Sequence, residues 1–225
     1  MKNTVQQQII DFLQVGGPVV WILMGFSVVA LTIVLMKFWQ FASMRAENRK
    51  TVNQALIMWR RKDAKKALEL LDETRPVDSL VGFSIRSLQA GEMDESRIRE
   101  EVERLAMNQL NQLRSYFRPL EIIASLSPLL GLLGTVLGMI TAFQQMEGAG
   151  SQVDPSVLSG GIWQALLTTA VGLAVAIPVV TVHSWLERKV ERISHMINDA
   201  VTQVFTSNEA ERLVAKAAKE VLHAA

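Results

Sequence analysis

The chain has 225 residues, 49% of them hydrophobic, with 23 Lys and Arg against 22 Asp and Glu and a formal net charge of +1. That balance says little until the charges are placed along the chain, but acidic residues interleaved with the basic ones and the lack of an aromatic platform beside them speak against nucleic-acid binding, and the absence of cysteine excludes a disulfide framework, a thiolate metal site and a thiol nucleophile. The charges are unevenly placed: none falls in Phe12 to Met36, Ile122 to Met146 or Pro155 to Leu186, and each gap exceeds the ~20 residues a helix needs to cross ~30 Å of hydrocarbon.

In chain order, residues 1–15 place Val5, Ile9, Phe12 and Leu13 at helical spacing opposite Gln6, Gln7, Asp11 and Gln14. This predicts an amphipathic helix at the membrane surface, a frayed helix start being the plainer alternative. Gly16-Gly17-Pro18 breaks it. Residues 16–40 form the first predicted span, apolar from Val19 to Phe38, with Trp21 and Trp39 at its interfaces. It lacks a basic stretch directly before it and is too long for a signal-peptide core, so it is expected to stay as an anchor.

Residues 41–120 are predicted as a cytoplasmic helical region with helices over 42–61, 63–74, 77–90 and 94–118. Asp63 is an N-cap, and Pro76 and Gly91 are punctuators. The last of these helices is expected to run nearly continuously into a second span over 121–146, with Pro119 as a candidate kink. A short periplasmic loop over 147–155 leads to a third span over 156–186. A cytoplasmic helix over 187–225 follows, with Val190, Ile193, Ile197, Val201, Val204 and Phe205 on its buried face. The predicted fold is all-α: a polytopic membrane protein with three transmembrane helices, spans two and three extending far into the cytoplasm. Fifteen Lys and Arg residues lie from Arg45 to Arg118 and six after Leu186, but none between Glu147 and Asp154. The positive-inside rule therefore places the N-terminus in the periplasm and the C-terminus in the cytoplasm.

The chemistry is concentrated in spans two and three. Pro128, Gly131, Thr135, Gly138 and Ala142 recur every three or four residues, with Gly134 adding a second small contact to Gly138. Gly161, Ala165, Thr168 and Thr169, Gly172 and Ala176 repeat the pattern, with Gln164 close by. Such stripes let membrane helices approach closely. Packing alone, with threonines bonded back to their own helix, is the plain reading. An amide such as Gln164 must find a partner in lipid, so it is expected to face helices or water. No carboxylate lies in any span centre, whereas ion conduction ordinarily uses an ionisable group at depth. If the chain conducts ions, that group comes from a partner.

The remaining signals are bland. His183 beside Trp185 reads as interfacial, and His195 and His223 read as solvated. Glu121 faces the interface or pairs with Arg118. The Arg60-Arg61-Lys62 and Lys65-Lys66 cluster reads as a cytoplasmic face near anionic lipid. There is no phosphate-binding loop, no nucleophile–base pair and no metal cluster, so no enzymatic activity is expected.

The strings PLLGLLGTVLGMITAF and GIWQALLTTAVGLAVAIPVV, with GGPVVWIL opening span one, resemble the MotA/TolQ/ExbB proton-channel family. The run RPLEIIASLSPLLGLLGTVLG is most similar to its ExbB branch, with TolQ the nearest rival. The resemblance implies a homo-pentamer in the bacterial inner membrane around an ExbD/TolR-like single-span dimer, energising a TonB-like protein. Protons would be the coupling ion, sodium being less expected, with no cofactor and no nucleic acid. It implies that Thr135 and Thr169 face the pore, with Thr168 and Gln164 along the ion pathway. Pro128, Gly131, Gly134, Gly138, Gly161, Gly172 and Pro178 would pack the helices around it. One departure stands out: the family commonly carries glutamate where this chain has Gln164, which cannot exchange a proton. A TolQ-like envelope-maintenance motor and a non-conducting membrane scaffold are the alternatives.

Overall fold

The computed structural model describes the backbone of residues 2–44, 49–149 and 155–223, and side chains within 16–44, 49–148, 156 and 158–208. Among the described residues all regular structure is helical: α1 (Lys2–Met44), α2 (Arg49–Arg60), α3 (Ala64–Leu70), α4 (Pro76–Ala90), α5 (Glu95–Arg114), α6 (Phe117–Ala149) and α7 (Pro155–His223). Three helices are long and apolar enough to cross a membrane. The amphipathic face predicted within 1–15 and the loop residues 150–154 lie outside the described residues. The expected 147–155 loop begins later than its sequence suggested, because Glu147 and Gly148 are still helical.

Contacts divide the chain into two units. The first comprises the chain up to Lys37 and Tyr116–Leu186. Within it, α1 breaks at Gly17 (φ 65°, ψ −166°), a conformation open to glycine and costly for other residues, immediately before Pro18. Beyond the break, Val19, Val20, Leu23, Ala30, Ile33 and Lys37 are buried along one face. The opposite face leaves Trp21, Val28, Leu31 and Leu35 exposed. An uncovered apolar face of this length suits lipid or partner helices and would be a liability in water.

One expectation is corrected at the start of the second span. The helix predicted over 94–118 does not continue into it. α5 ends at Arg114, Ser115 is extended (ψ 140°), and Tyr116 takes a left-handed conformation (φ 65°) before α6 starts at Phe117. Pro119 then falls in the first turn of α6, where an N–H has no intrahelical partner to lose, so it produces no kink. The helix expected to extend span two is thus a separate one, whereas span three does continue without a break: α7 is one helix through 69 residues.

The second unit comprises Phe38–Ser115 and the chain from Glu187. Local chemistry sets its helix ends. Asp63 caps α3, its carboxylate accepting the Lys66 N–H at 3.2 Å. Pro76 opens α4, and Gly91 closes it in the left-handed conformation (φ 64°). In the turn after α2, Lys62 is also left-handed (φ 67°), with the Asp63 N–H reaching back to the Met58 carbonyl at 3.0 Å. That closure usually recruits glycine. The second half of α7 buries Val190, Ile193, Ile197, Ala200, Val204 and Phe205. Ala200 takes the place expected for Val201, which is only half-buried. The Trp59 indole N–H donates to the Val204 carbonyl at 3.1 Å, Arg60 donates to Gln203 at 2.8 Å, and the Arg99 guanidinium lies 4.9 Å from the Phe205 ring.

Asp78 on α4, which the sequence does not single out, is only 2% exposed. Its carboxylate accepts the Asp72 N–H at 3.1 Å and lies 3.9 Å from the Arg75 guanidinium. Burial outweighs both and raises its pKa above the usual carboxylate range.

Candidate functional site

The two small-residue stripes face each other within the first unit. As α6 advances from Ser127 through Gly131, Gly134 and Gly138 to Ala142, its neighbours on α7 retreat from Gly172 through Thr168 and Thr169 to Ala165 and Gly161. The helices are therefore antiparallel along the seam. A Cβ on Gly131 would lie 3.0 Å from the Thr168 carbonyl oxygen and 3.0 Å from the Thr169 Cα. One on Gly134 would lie 2.5 Å from Thr168 Oγ1 and 2.6 Å from its Cβ, and one on Gly172 would lie 2.5 Å from the Ser127 carbonyl oxygen. Gly138 is looser, at 3.3 Å from the Ala165 Cβ, while Gly161 is closed off by the Ala142 methyl. Lipid gives helices no hydrophobic reason to associate, so backbone contact of this kind supplies the cohesion.

The hydroxyls fall into two groups. Thr168 is 2% exposed, and its hydroxyl lies 2.7 Å from the Ala165 carbonyl and 3.1 Å from that of Gly131. It fastens the helices together inside the seam. Ser127, which sequence reading passed over, is equally enclosed and donates to the Ile123 carbonyl at 2.6 Å. Thr135 and Thr169 are only half-buried. Thr135 donates to the Leu132 carbonyl at 2.6 Å, and Thr169 donates across the seam to the Gly131 carbonyl at 3.2 Å. Each follows a seam residue, Gly134 or Thr168, by one position, hence by about 100° of rotation. On antiparallel helices a rotation of the same sense from a shared seam leads to the same side. Thr135 and Thr169 therefore share one edge, roughly one helical turn apart in depth.

Gln164 does not share it. Five residues before Thr169, it is turned about 140° away around α7. Its Nε2 lies beside the break in α1, 3.8 Å from where a Gly17 Cβ would stand. Of the two prolines counted with the packing residues, Pro128 is half-buried beside the seam and Pro178 is exposed.

At the far end of this unit Lys37 is fully buried. Its ammonium lies 5.6 Å from the Phe117 ring and 6.0 Å from the Tyr116 ring, and Phe117 meets the His183 ring edge-on at 5.7 Å. Aromatic faces attract a cation. The sequence offered this lysine only as the end of a charge-free run. The cluster brings the Lys37 level of α1, the start of α6 and the His183 level of α7 to one end of the unit. Among the described residues no group of three His, Cys, Asp or Glu could hold a metal.

The sequence profile of the MotA/TolQ/ExbB proton channel family matches residues 72–199. The chain is 28% identical over 187 residues to the biopolymer transport protein exbB1 of Vibrio cholerae, covering 81% of this chain and 82% of that one. It is 36% identical over 103 residues to the Tol-Pal system protein TolQ of Haemophilus influenzae, 45% of each. It is 43% identical over 75 residues to the biopolymer transport protein ExbB of Helicobacter pylori, 33% of this chain and 51% of the relative.

Proposed function

The chain belongs to the MotA/TolQ/ExbB proton channel family, and from that premise we propose that it is the ExbB-like subunit of an inner-membrane motor driven by the proton-motive force. It assembles as a pentamer around an ExbD-like dimer, with its N-terminus in the periplasm and its C-terminus in the cytoplasm, and energises a TonB-like protein. It has no enzymatic activity of its own. The observation that carries this reading is the shared edge of Thr135 and Thr169 on a seam with no carboxylate in it. Two hydroxyls at mid-depth provide a polar track, and a partner helix brings the titrating group. One charge moving down 100 mV releases about 2.3 kcal/mol, enough for a few charges to shift a central helix pair.

The test is energised uptake in cells co-expressing an ExbD-like partner. The Thr135→Val, Thr169→Val pair should abolish uptake while leaving assembly intact, and parental uptake in the pair would exclude this edge as the path. A TolQ-like role in envelope maintenance is supported by the relative of that name. Rescue of detergent sensitivity rather than of uptake would select it. A scaffold role is favoured by the internal pairing of every seam hydroxyl. Uptake indifferent to a protonophore would select that one.

A further inference from the structure

We infer that Lys37 is a positioning residue: its ammonium, held against the rings of Tyr116 and Phe117, fixes the first turn of α6 against α1. A lysine near the end of a span ordinarily extends its ammonium to the membrane surface. Lys37 is instead fully buried, and a lysine so enclosed needs groups that compensate for the lost water. Two aromatic ones stand on consecutive residues of one turn, the Phe117 ring at 5.6 Å and the Tyr116 ring at 6.0 Å. Both lie within reach of a cation–π attraction, which strengthens where water is excluded. Phe117 is itself buried and meets His183 of α7 edge-on at 5.7 Å, so α1, α6 and α7 are joined at one level.

The backbone points the same way. Tyr116 is left-handed (φ 65°) after an extended Ser115, a conformation that the chain gives to glycine at positions 17 and 91 and that is costly for a residue with a side chain. Strain of this kind persists only where the surroundings over-determine it. Core packing of the tyrosine ring is not the reason, because Tyr116 is 55% exposed. What the turn achieves is to set two successive rings within 6.0 Å of one ammonium. Tyrosine stands where glycine would relax the backbone because only a ring serves the cation. Since α6 carries Thr135, the consequence for the ion path rests on the function proposed above, while the contact itself does not.

The experiment uses the full chain purified in a mild detergent and labelled with 3-fluorotyrosine. Tyr116 is the only tyrosine, so one fluorine resonance reports its ring. Lys37→Leu is expected to move that resonance toward its position in the denatured chain, and Lys37→Arg to leave it near the parental one. A resonance unmoved by Lys37→Leu would overturn the inference. Two variants that leave Lys37 in place test it separately, by titration into sodium dodecyl sulfate. Tyr116→Phe keeps a ring and should match the parental unfolding constant within about twofold. Tyr116→Gly relaxes the backbone yet should be no more stable than the parent, because the lost ring offsets the relief. A gain of about fivefold, the relief unopposed, would overturn the inference. In cells co-expressing the ExbD-like partner, Lys37→Leu should lower energised uptake by about fivefold and Lys37→Arg should restore it. Equal losses in the two variants would overturn the role of the charge. Parental uptake in Lys37→Leu beside a displaced resonance would refute the link to the ion path alone.

Discussion

Gly134→Ala tests the seam at its tightest point. The added methyl would lie 2.5 Å from Thr168 Oγ1, 2.6 Å from its Cβ and 2.9 Å from its Cγ2. Non-bonded carbon atoms prefer about 3.5–4.0 Å, so something must yield by about 1 Å. Threonine is β-branched and stiff about χ1, and its hydroxyl is held by two carbonyls, so the helices separate instead. Overpacking of this kind costs about 1–3 kcal/mol. Losing the bond to the Gly131 carbonyl adds about 0.6–2 kcal/mol, and alanine's better helix propensity returns up to about 1 kcal/mol. The expected net loss is therefore about 0.6–5 kcal/mol, measurable by titrating the detergent-solubilised protein from a mild detergent into sodium dodecyl sulfate and following helix unfolding. Adding Thr168→Gly should recover much of it. Thr168→Ala should recover less, because the Cβ contact remains. A Gly134→Ala protein as stable as the parent would refute the seam geometry.

Neighbouring glycines supply an internal control: Gly161 is enclosed by Ala142 while Gly160 has nothing within 4 Å. Gly161→Ala should lose stability on the scale of Gly134→Ala, and Gly160→Ala should hold or gain up to about 1 kcal/mol in the same titration. Lys62→Gly relieves a left-handed residue at the end of α2 and should stabilise the second unit by about 1 kcal/mol, read as a rise in melting temperature. Asp78 has a raised pKa in the folded chain. Its contribution is therefore fully present below the ordinary aspartate value of about 3.9 and is lost as the pH rises through the raised one. Asp78→Asn keeps an acceptor for the Asp72 N–H and should remove that part of the decline, so melts of the two proteins converge in acid and separate toward neutral pH.

The spans were legible because lipid tolerates no charge and the chain spells this out as three long gaps. The cap of α3, the proline opening α4, the Gly91 stop and the break at Gly17 were legible because each uses a residue suited to its dihedrals. The break before α6 was not, since Tyr116 and Lys62 adopt left-handed conformations that sequence assigns to glycine or asparagine. The burial of Lys37 and Asp78 was not legible for a related reason: it depends on the Tyr116 and Phe117 rings for the one and on the Asp72 amide for the other, which the sequence does not place beside them. At the seam, spacing identified the stripes but not the division of labour within them. Thr168 and Thr169 differ by one step, which carries one inside and leaves the other at the rim. Gln164 sits close enough to the stripe in sequence to pass for a member of it, and only the position of α1 reveals its different neighbour.

The rim hydroxyls have a polarity of their own. Thr135 spends its single hydrogen on the Leu132 carbonyl and Thr169 spends its own on that of Gly131. Each oxygen is left with lone pairs and nothing to donate. The edge is thus an array of Lewis bases. A group arriving with its own hydrogen, or a bare cation, finds a partner at each step. An ionised carboxylate finds none and faces the full cost of leaving water. On the ion path proposed above, such an edge would favour a neutral or positively charged arrival over an ionised carboxylate with no titratable side chain in the seam.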